Sequence, residues 1–150
     1  MQKLNFPTYN FRFKKNKDNE VLIFDESRKK FILLTPEEWV RQHALKFLLV
    51  EKKFPISLIE LERKISLNNQ TKRFDLICKN SDGTTRLLLE CKAPEIKISQ
   101  ATFDQIIRYN NVLKAQYLWI SNGIDNHIFE IDFESNKVNK IKELPLYGDL

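Results

Sequence analysis

Fourteen residues separate Asp75 from Glu90 in this chain, with Lys92 two residues beyond the second, and Asn80-Ser81-Asp82-Gly83-Thr84 lies between them. Asp-Gly between two strand-like runs, residues 73–79 and 85–92, predicts a β-hairpin. With Asp82-Gly83 at its tip, every cross-strand pair has positions that sum to 165, and Asp75 faces Glu90. A four-residue loop over residues 81–84 gives the same pairing, and only a bulge shifts it. Directly opposed side chains have Cβ atoms about 4.5–5.5 Å apart, where like charges destabilise. Two carboxylates at that spacing form a hard-oxygen site of the kind Mg²⁺ takes, with water and a substrate phosphate completing its shell. Lys92, on the same face as Glu90, is placed to orient and help deprotonate an attacking water beside a polarised phosphoryl oxygen. That chemistry is phosphodiester hydrolysis. The same residues with Arg73 also read as a charge ladder neutralising itself on a solvated sheet.

The elements that must hold these groups are legible in outline. Phe74, Leu76 and Cys78 alternate with Asp75, and Leu87, Leu89 and Cys91 alternate with Glu90, so one hairpin face is expected to be the apolar core. The other carries Arg73, Asp75, Ile77 and Lys79 against Arg86, Leu88, Glu90 and Lys92. Upstream, Val21-Leu22-Ile23-Phe24 and Phe31-Ile32-Leu33-Leu34 flank a charged turn and read as a hairpin. Thr35-Pro36-Glu37-Glu38 then opens a helix with an N-cap Thr, Pro at the first position and Glu at the third, a capping box. Val40, Ala44, Phe47 and Leu48 continue it at helical spacing to about Lys52, before Pro55. Residues 56–61 read as a helical turn leading into a strand at 62–67. From Ser99, Phe103, Ile106, Ile107 and Leu113 mark a second amphipathic helix, followed by a strand at 115–121 and a hairpin of 127–133 with 138–144. The pattern is a strand-rich α/β or α+β domain.

Asp75, then Glu90-Cys91-Lys92, resembles the core of the PD-(D/E)xK nuclease superfamily. Thr35-Pro36-Glu37-Glu38-Trp39-Val40-Arg41-Gln42, Arg73-Phe74-Asp75-Leu76, Glu90-Cys91-Lys92-Ala93-Pro94, Phe103-Asp104-Gln105-Ile106-Ile107-Arg108-Tyr109-Asn110 and Ser121-Asn122-Gly123, in this order, resemble the N-terminal nuclease domain of type I restriction enzyme R subunits. The resemblance implies a restriction-endonuclease-like mixed sheet flanked by helices, and DNA cleavage that depends on Mg²⁺ or Mn²⁺. It makes Asp75, Glu90 and the Cys91 backbone carbonyl the metal ligands, Lys92 the catalytic lysine, Glu38 the helix carboxylate and Gln105 with Tyr109 a Gln-x-x-x-Tyr element. Phe74 stands where the family has Pro. Arg41, Gln42, Arg73, Arg108 and Tyr109 are the expected nucleic-acid contacts, although Glu38 also reads as a helix cap and Tyr109 as a framing residue.

The 150 residues carry 25 Lys and Arg against 20 Asp and Glu, a net charge of +5. That length and an aromatic content of 11% fit one domain with its own core. We divide it into an N-terminal β-hairpin extension over 1–34 and a nuclease core over about 35–130. No apolar run approaches a membrane span and the first residues lack a signal-peptide core, so a cytoplasmic location is expected. Cys78 and Cys91 are too few for a disulfide scaffold or a zinc site, and read as buried apolar residues. His43 and His127 read as structural, and Trp39 and Trp119 as core. No G-x-x-x-x-G-K-[ST] loop is present, which excludes a nucleotide-driven motor within these residues. A charge of +5 is modest for a chain that finds DNA alone. Targeting is therefore expected from restriction-modification or other protein subunits, or from a homodimer. The competing reading is a catalytically inactive nuclease-fold module that binds nucleic acid or a protein partner.

Overall fold

The computed structural model describes residues 1–148. The chain forms β1 (Phe13–Lys15), β2 (Val21–Asp25), β3 (Lys30–Leu33), α1 (Pro36–Lys46), β4 (Ile59–Leu67), β5 (Gln70–Lys79), β6 (Thr85–Cys91), α2 (Gln100–Leu113), β7 (Tyr117–Ser121), β8 (Asn126–Asp132) and β9 (Lys137–Ile141). Strands β1–β3 make one antiparallel sheet. Strands β4–β9 make a six-stranded sheet in sequence order, antiparallel except where β6 runs parallel to β7. A parallel pair needs a crossover, and α2 supplies it. The fold is thus mixed α/β, as the sequence pattern predicts. Among the described residues no helix is long and apolar enough to cross a membrane.

Thr35 caps α1, its hydroxyl accepting the Glu38 N–H at 3.0 Å. The helix continues past Lys46 as a π-helical turn, Phe47–Glu51, and so stops where Pro55 predicts. Val40, Ala44, Leu45 and Leu48 pack on Leu76, Cys78, Leu87 and Leu89 across one face of the sheet. Ile106 and Tyr109 of α2 pack on Ile77, Leu88, Leu118 and Ile120 across the other. The charge-ladder reading, with its solvated second face, is therefore corrected, and the mixed sheet flanked by helices is borne out. Helices cover both faces and every residue of β6 is buried, the usual state of a strand beside a parallel neighbour.

The register is 165 where the sequence arithmetic puts it, with Leu76↔Leu89, Ile77↔Leu88 and Cys78↔Leu87 paired. A bulge between Cys78 and Lys79 shifts the tip, so that Lys79 pairs with Thr85. Gly83, at φ +90, completes the turn. Arg86 consequently leaves the solvated position expected for it and lies buried, its guanidinium 4.2 Å from the Tyr147 ring centroid. Strand β1 was not expected from the pattern: three residues, all exposed, carry no alternation to read.

Candidate active site

The regular ladders break at Asp75. On the β6 side the pairing runs through Leu76↔Leu89 and goes no further, while Glu90 and Cys91 keep their pairing with Ile120 and Ser121 of β7. On the β4 side Leu61↔Leu76 and Arg63↔Phe74 are paired, but Glu62, between them, is left out and has φ +56. A non-glycine residue rarely adopts that left-handed conformation, which is held only by its surroundings. The chain is kinked here: Phe74 and Ile77, three residues apart, pack in the same cluster under α2. Strict alternation had placed Phe74 with Leu76 and Cys78. The kink turns Asp75 toward α1 and lets its carboxylate fill the gap between the parting strands.

In that gap Asp75 Oδ2 accepts the Cys91 N–H at 2.8 Å, and Arg41 Nη1 donates to Oδ1 at 3.2 Å. Burial pushes the Asp75 carboxyl up to about 8, reinforced by a hydrogen bond and charge repulsion from Glu90, against the Cys91 amide and Arg41. Asp75 and Glu90 thus meet in the gap, close enough to hydrogen-bond, and the proton stays on Asp75. Since a strand residue's N–H and C=O point to the same side, the Cys91 carbonyl also faces the gap. Burial raises the Cys91 thiol well above its usual range, so its main chain and not a thiolate is what Cys91 offers. Among the described residues no three His, Cys, Asp or Glu side chains form a preformed metal cage. Two carboxylates and a carbonyl are nevertheless a hard-oxygen set, which suits a cation that retains several waters.

A cavity of about 170 Å³ opens over these groups. Lys92 lines it, 3.9 Å from Glu90 Oε2, as does the exposed Arg73. The sequence reading missed three further members. Lys72 Nζ is 2.7 Å from Glu90 Oε2, closer than Lys92. Glu62 receives Arg41 and Arg28 at 3.5 and 3.2 Å. Glu37 reaches the cavity from α1, its carboxyl raised by partial burial and by Asp75, against Arg41 and Lys92. Helical spacing offered one clue, since Glu37 and Arg41 lie one turn apart.

Glu38 does not line the cavity. It is buried and receives Arg41, Gln42 and Arg28. Burial alone would raise its carboxyl, but the hydrogen bonds and charge of Arg41, with Gln42 and Arg28, hold it below the ordinary range. Its backbone completes the Thr35 cap while its carboxylate serves this network, so the reciprocal half of the capping box is absent. Arg41 and Gln42, expected to touch nucleic acid, are buried in the same network; Gln42 donates to Asp25 and Glu38 at 3.0 and 2.9 Å. Tyr109 is likewise core, its ring against Phe74 at 5.6 Å, because α2 turns that side to the sheet. Gln105 and Arg108 lie together on the exposed side of α2, lining a separate concavity, and Arg108 donates to Gln70 at 3.3 Å.

The sequence model of the family described as type I restriction enzyme R protein N terminus matches residues 36–145. A solved structure, a fragment assigned to an HsdR subunit of a type I restriction enzyme from Vibrio vulnificus YJ016, superposes with a TM-score of 0.53 at 17% identity. The match covers 75% of this chain and 24% of that one, and at such identity it establishes the shared fold. No curated protein matches.

Proposed function

The chain belongs to the type I restriction enzyme R protein N-terminus family, and on that premise we propose that it is a cytoplasmic, metal-dependent endonuclease of PD-(D/E)xK type hydrolysing DNA phosphodiester bonds. The observation that carries this reading is the meeting of Asp75 and Glu90 at the parting of β5 and β6, with the Cys91 main chain between them and Lys92 beside them. Asp75, Glu90 and the Cys91 carbonyl would hold Mg²⁺ or Mn²⁺ in the gap between the parting strands. Bound there, the cation supplies Lewis acidity toward a phosphoryl oxygen and a lower pKa for water. Lys92, with about a third of its side chain exposed, orients the attacking water from the solvent side. Arg73 takes a non-bridging phosphate oxygen at the cavity mouth, and Gln105 and Arg108 meet the backbone further along α2. Arg41 and Lys72 hold the two carboxylates in place. The chain spans about a quarter of the matched HsdR chain, so other restriction subunits, or a second copy, supply targeting.

One observation favours the inactive-module alternative: Lys72 already neutralises Glu90. Incubation with plasmid DNA separates the two. Nicking or linearisation with Mg²⁺ or Mn²⁺, abolished by EDTA and by Lys92→Ala, is expected of the nuclease. Mn²⁺ binding by calorimetry should survive Lys92→Ala and fail in Glu90→Ala. Clean protein that cuts no single-stranded, duplex or branched DNA under either metal establishes the alternative.

A further inference from the structure

The matched family region begins at residue 36, so the β1–β3 sheet lies outside it. One face of that sheet covers buried Ile23. The register assigns the other. Phe24 pairs with Phe31, and its N–H bonds the Arg12 carbonyl, so Arg12, Phe24 and Phe31 form one row across the three strands. Lys14, Leu22 and Leu33 form the next. The rings pack edge to face at 5.2 Å. Arg12 lies 4.4 Å from the Phe24 centroid, and Lys14 lies 4.4 Å from that of Phe31. A cation seated on an aromatic face is held with its outer side free for another partner.

No carboxylate claims these charges. Among the described residues Arg12, Lys14, Lys29 and Lys30 make no ion pair, while three of the four acids of this segment are engaged elsewhere: Asp25 with Arg28, Glu26 with Lys46 and Glu20 with Asn16. The charged row is also aimed. Asp25↔Lys30 is the next pair along from Phe24↔Phe31, and the turn beyond it holds Arg28, whose guanidinium reaches Glu62 at the cavity. We propose that this cation-on-aromatic face is a second DNA contact, taking the phosphate backbone of the duplex whose scissile bond lies over Asp75 and Glu90. The assignment rests on the nuclease reading for its partner. Unpaired, preplaced cations with no specificity pocket match a polyanion contacted through its phosphates.

The test is fluorescence anisotropy of a labelled duplex with the full chain in EDTA, across 50–200 mM salt, where cleavage cannot interfere. Each phosphate contact carries a slope of about 0.9 in log K against log salt, so R12A/K14A should flatten the slope by about 1.8 and weaken binding roughly tenfold at low salt. R12K/K14R, which keeps charge on both rings, should restore most of the affinity. K137A/K142A, removing equal charge around β9, should leave affinity within about twofold, as expected where no phosphate contact is lost. Equal effects from both alanine pairs, or no effect of R12A/K14A on a wild type that binds, overturn the proposal. Loss of polyglutamate binding with DNA affinity intact assigns the face to an acidic protein and overturns it too. If R12A/K14A fails to fold by circular dichroism, the single variants R12Q and K14Q carry the same comparison, each expected to flatten the slope by about 0.9. Wild type that binds through this face yet never cuts overturns the nuclease reading alone, whereas wild type that binds no DNA overturns both.

Discussion

Asp75 keeps a proton that an exposed aspartate releases near pH 4, because burial and Glu90 both disfavour its charge. Its folded pKa lies above its unfolded value, so the stability this proton contributes is complete below about 3.8 and is lost as pH rises through about 8. Asp75→Asn holds the neutral state at every pH. Urea midpoints in EDTA should therefore show the variant gaining on wild type steadily from pH 4 to pH 8, with Mn²⁺ stabilising wild type far more than the variant. A constant deficit of the variant with the full Mn²⁺ effect would make Asp75 a structural acceptor and sink the paired-carboxylate site. Arg41 is the opposite case. It is ion-paired with buried Glu38 and donates to the protonated Asp75, and removing one partner of a buried ion pair costs about 3–5 kcal/mol. Arg41→Gln should destabilise by that amount at pH 7. Glu38 is held below its ordinary range by Arg41, so its contribution fades as pH falls, and the penalty should shrink near pH 4. A penalty under about 1 kcal/mol would mean that solvent already screens the network.

Glu62 sets the geometry of a whole strand, since its left-handed φ takes β4 off the ladder opposite Asp75 and points its carboxylate to Arg41 and Arg28. Ala usually exceeds Gly in a strand interior, but at φ +56 the order should reverse. Glu62→Gly should be more stable than Glu62→Ala by about 1 kcal/mol by thermal melts, although both lose the same carboxylate. The usual order would show that the left-handed turn is not retained. This kink also marks the limit of what sequence could reveal. The 165 register, the Thr35 cap and the apolar spacing of both helices follow from local rules, and the register brings Asp75 and Glu90 to the same end of the hairpin. Period-two alternation cannot express a break, so it put Phe74 on the wrong face and gave no sign that Lys72 meets Glu90. It also read the second sheet face as solvated, because Ile77 and Leu88 stand among charged neighbours. Choosing between Glu37 and Glu38 needed the azimuth of α1, which one-residue steps of 100° leave open until Val40 and Ala44 are seen packed.

The whole molecule joins the β1–β3 sheet to the matched region through few but specific contacts. Leu4 inserts into the α1 cluster beside Gly123, whose φ of +85 and close approach to Leu4 leave no room for a Cβ. Asn5 donates to the Gly123 carbonyl at 2.7 Å, and the Trp39 indole donates to that of Gln2. Asp25 is the central joint. It is fully buried and accepts hydrogen bonds from the Ser27 and Arg28 amides, Arg28 Nε and Gln42 Nε2. Through Arg28 and Gln42 it ties the β2–β3 turn to Glu38, Glu62 and so to the Arg41–Asp75 pair. Asp25→Ala leaves four donors unsatisfied, two of them on a guanidinium or amide buried against α1, and should destabilise by about 3 kcal/mol or more. Hydrogen exchange will show where that loss falls. If the two sheets are separate cooperative units, amides of β2 and β3 should exchange near the local opening limit while β5–β7 keep protection close to the global value. Mn²⁺ affinity should fall with them, because Arg28 no longer braces Glu62 and Arg41 at the cavity. A uniform loss of protection across both sheets would contradict this and make the β1–β3 sheet part of a single folding unit, with the site braced by the whole chain and not through Asp25.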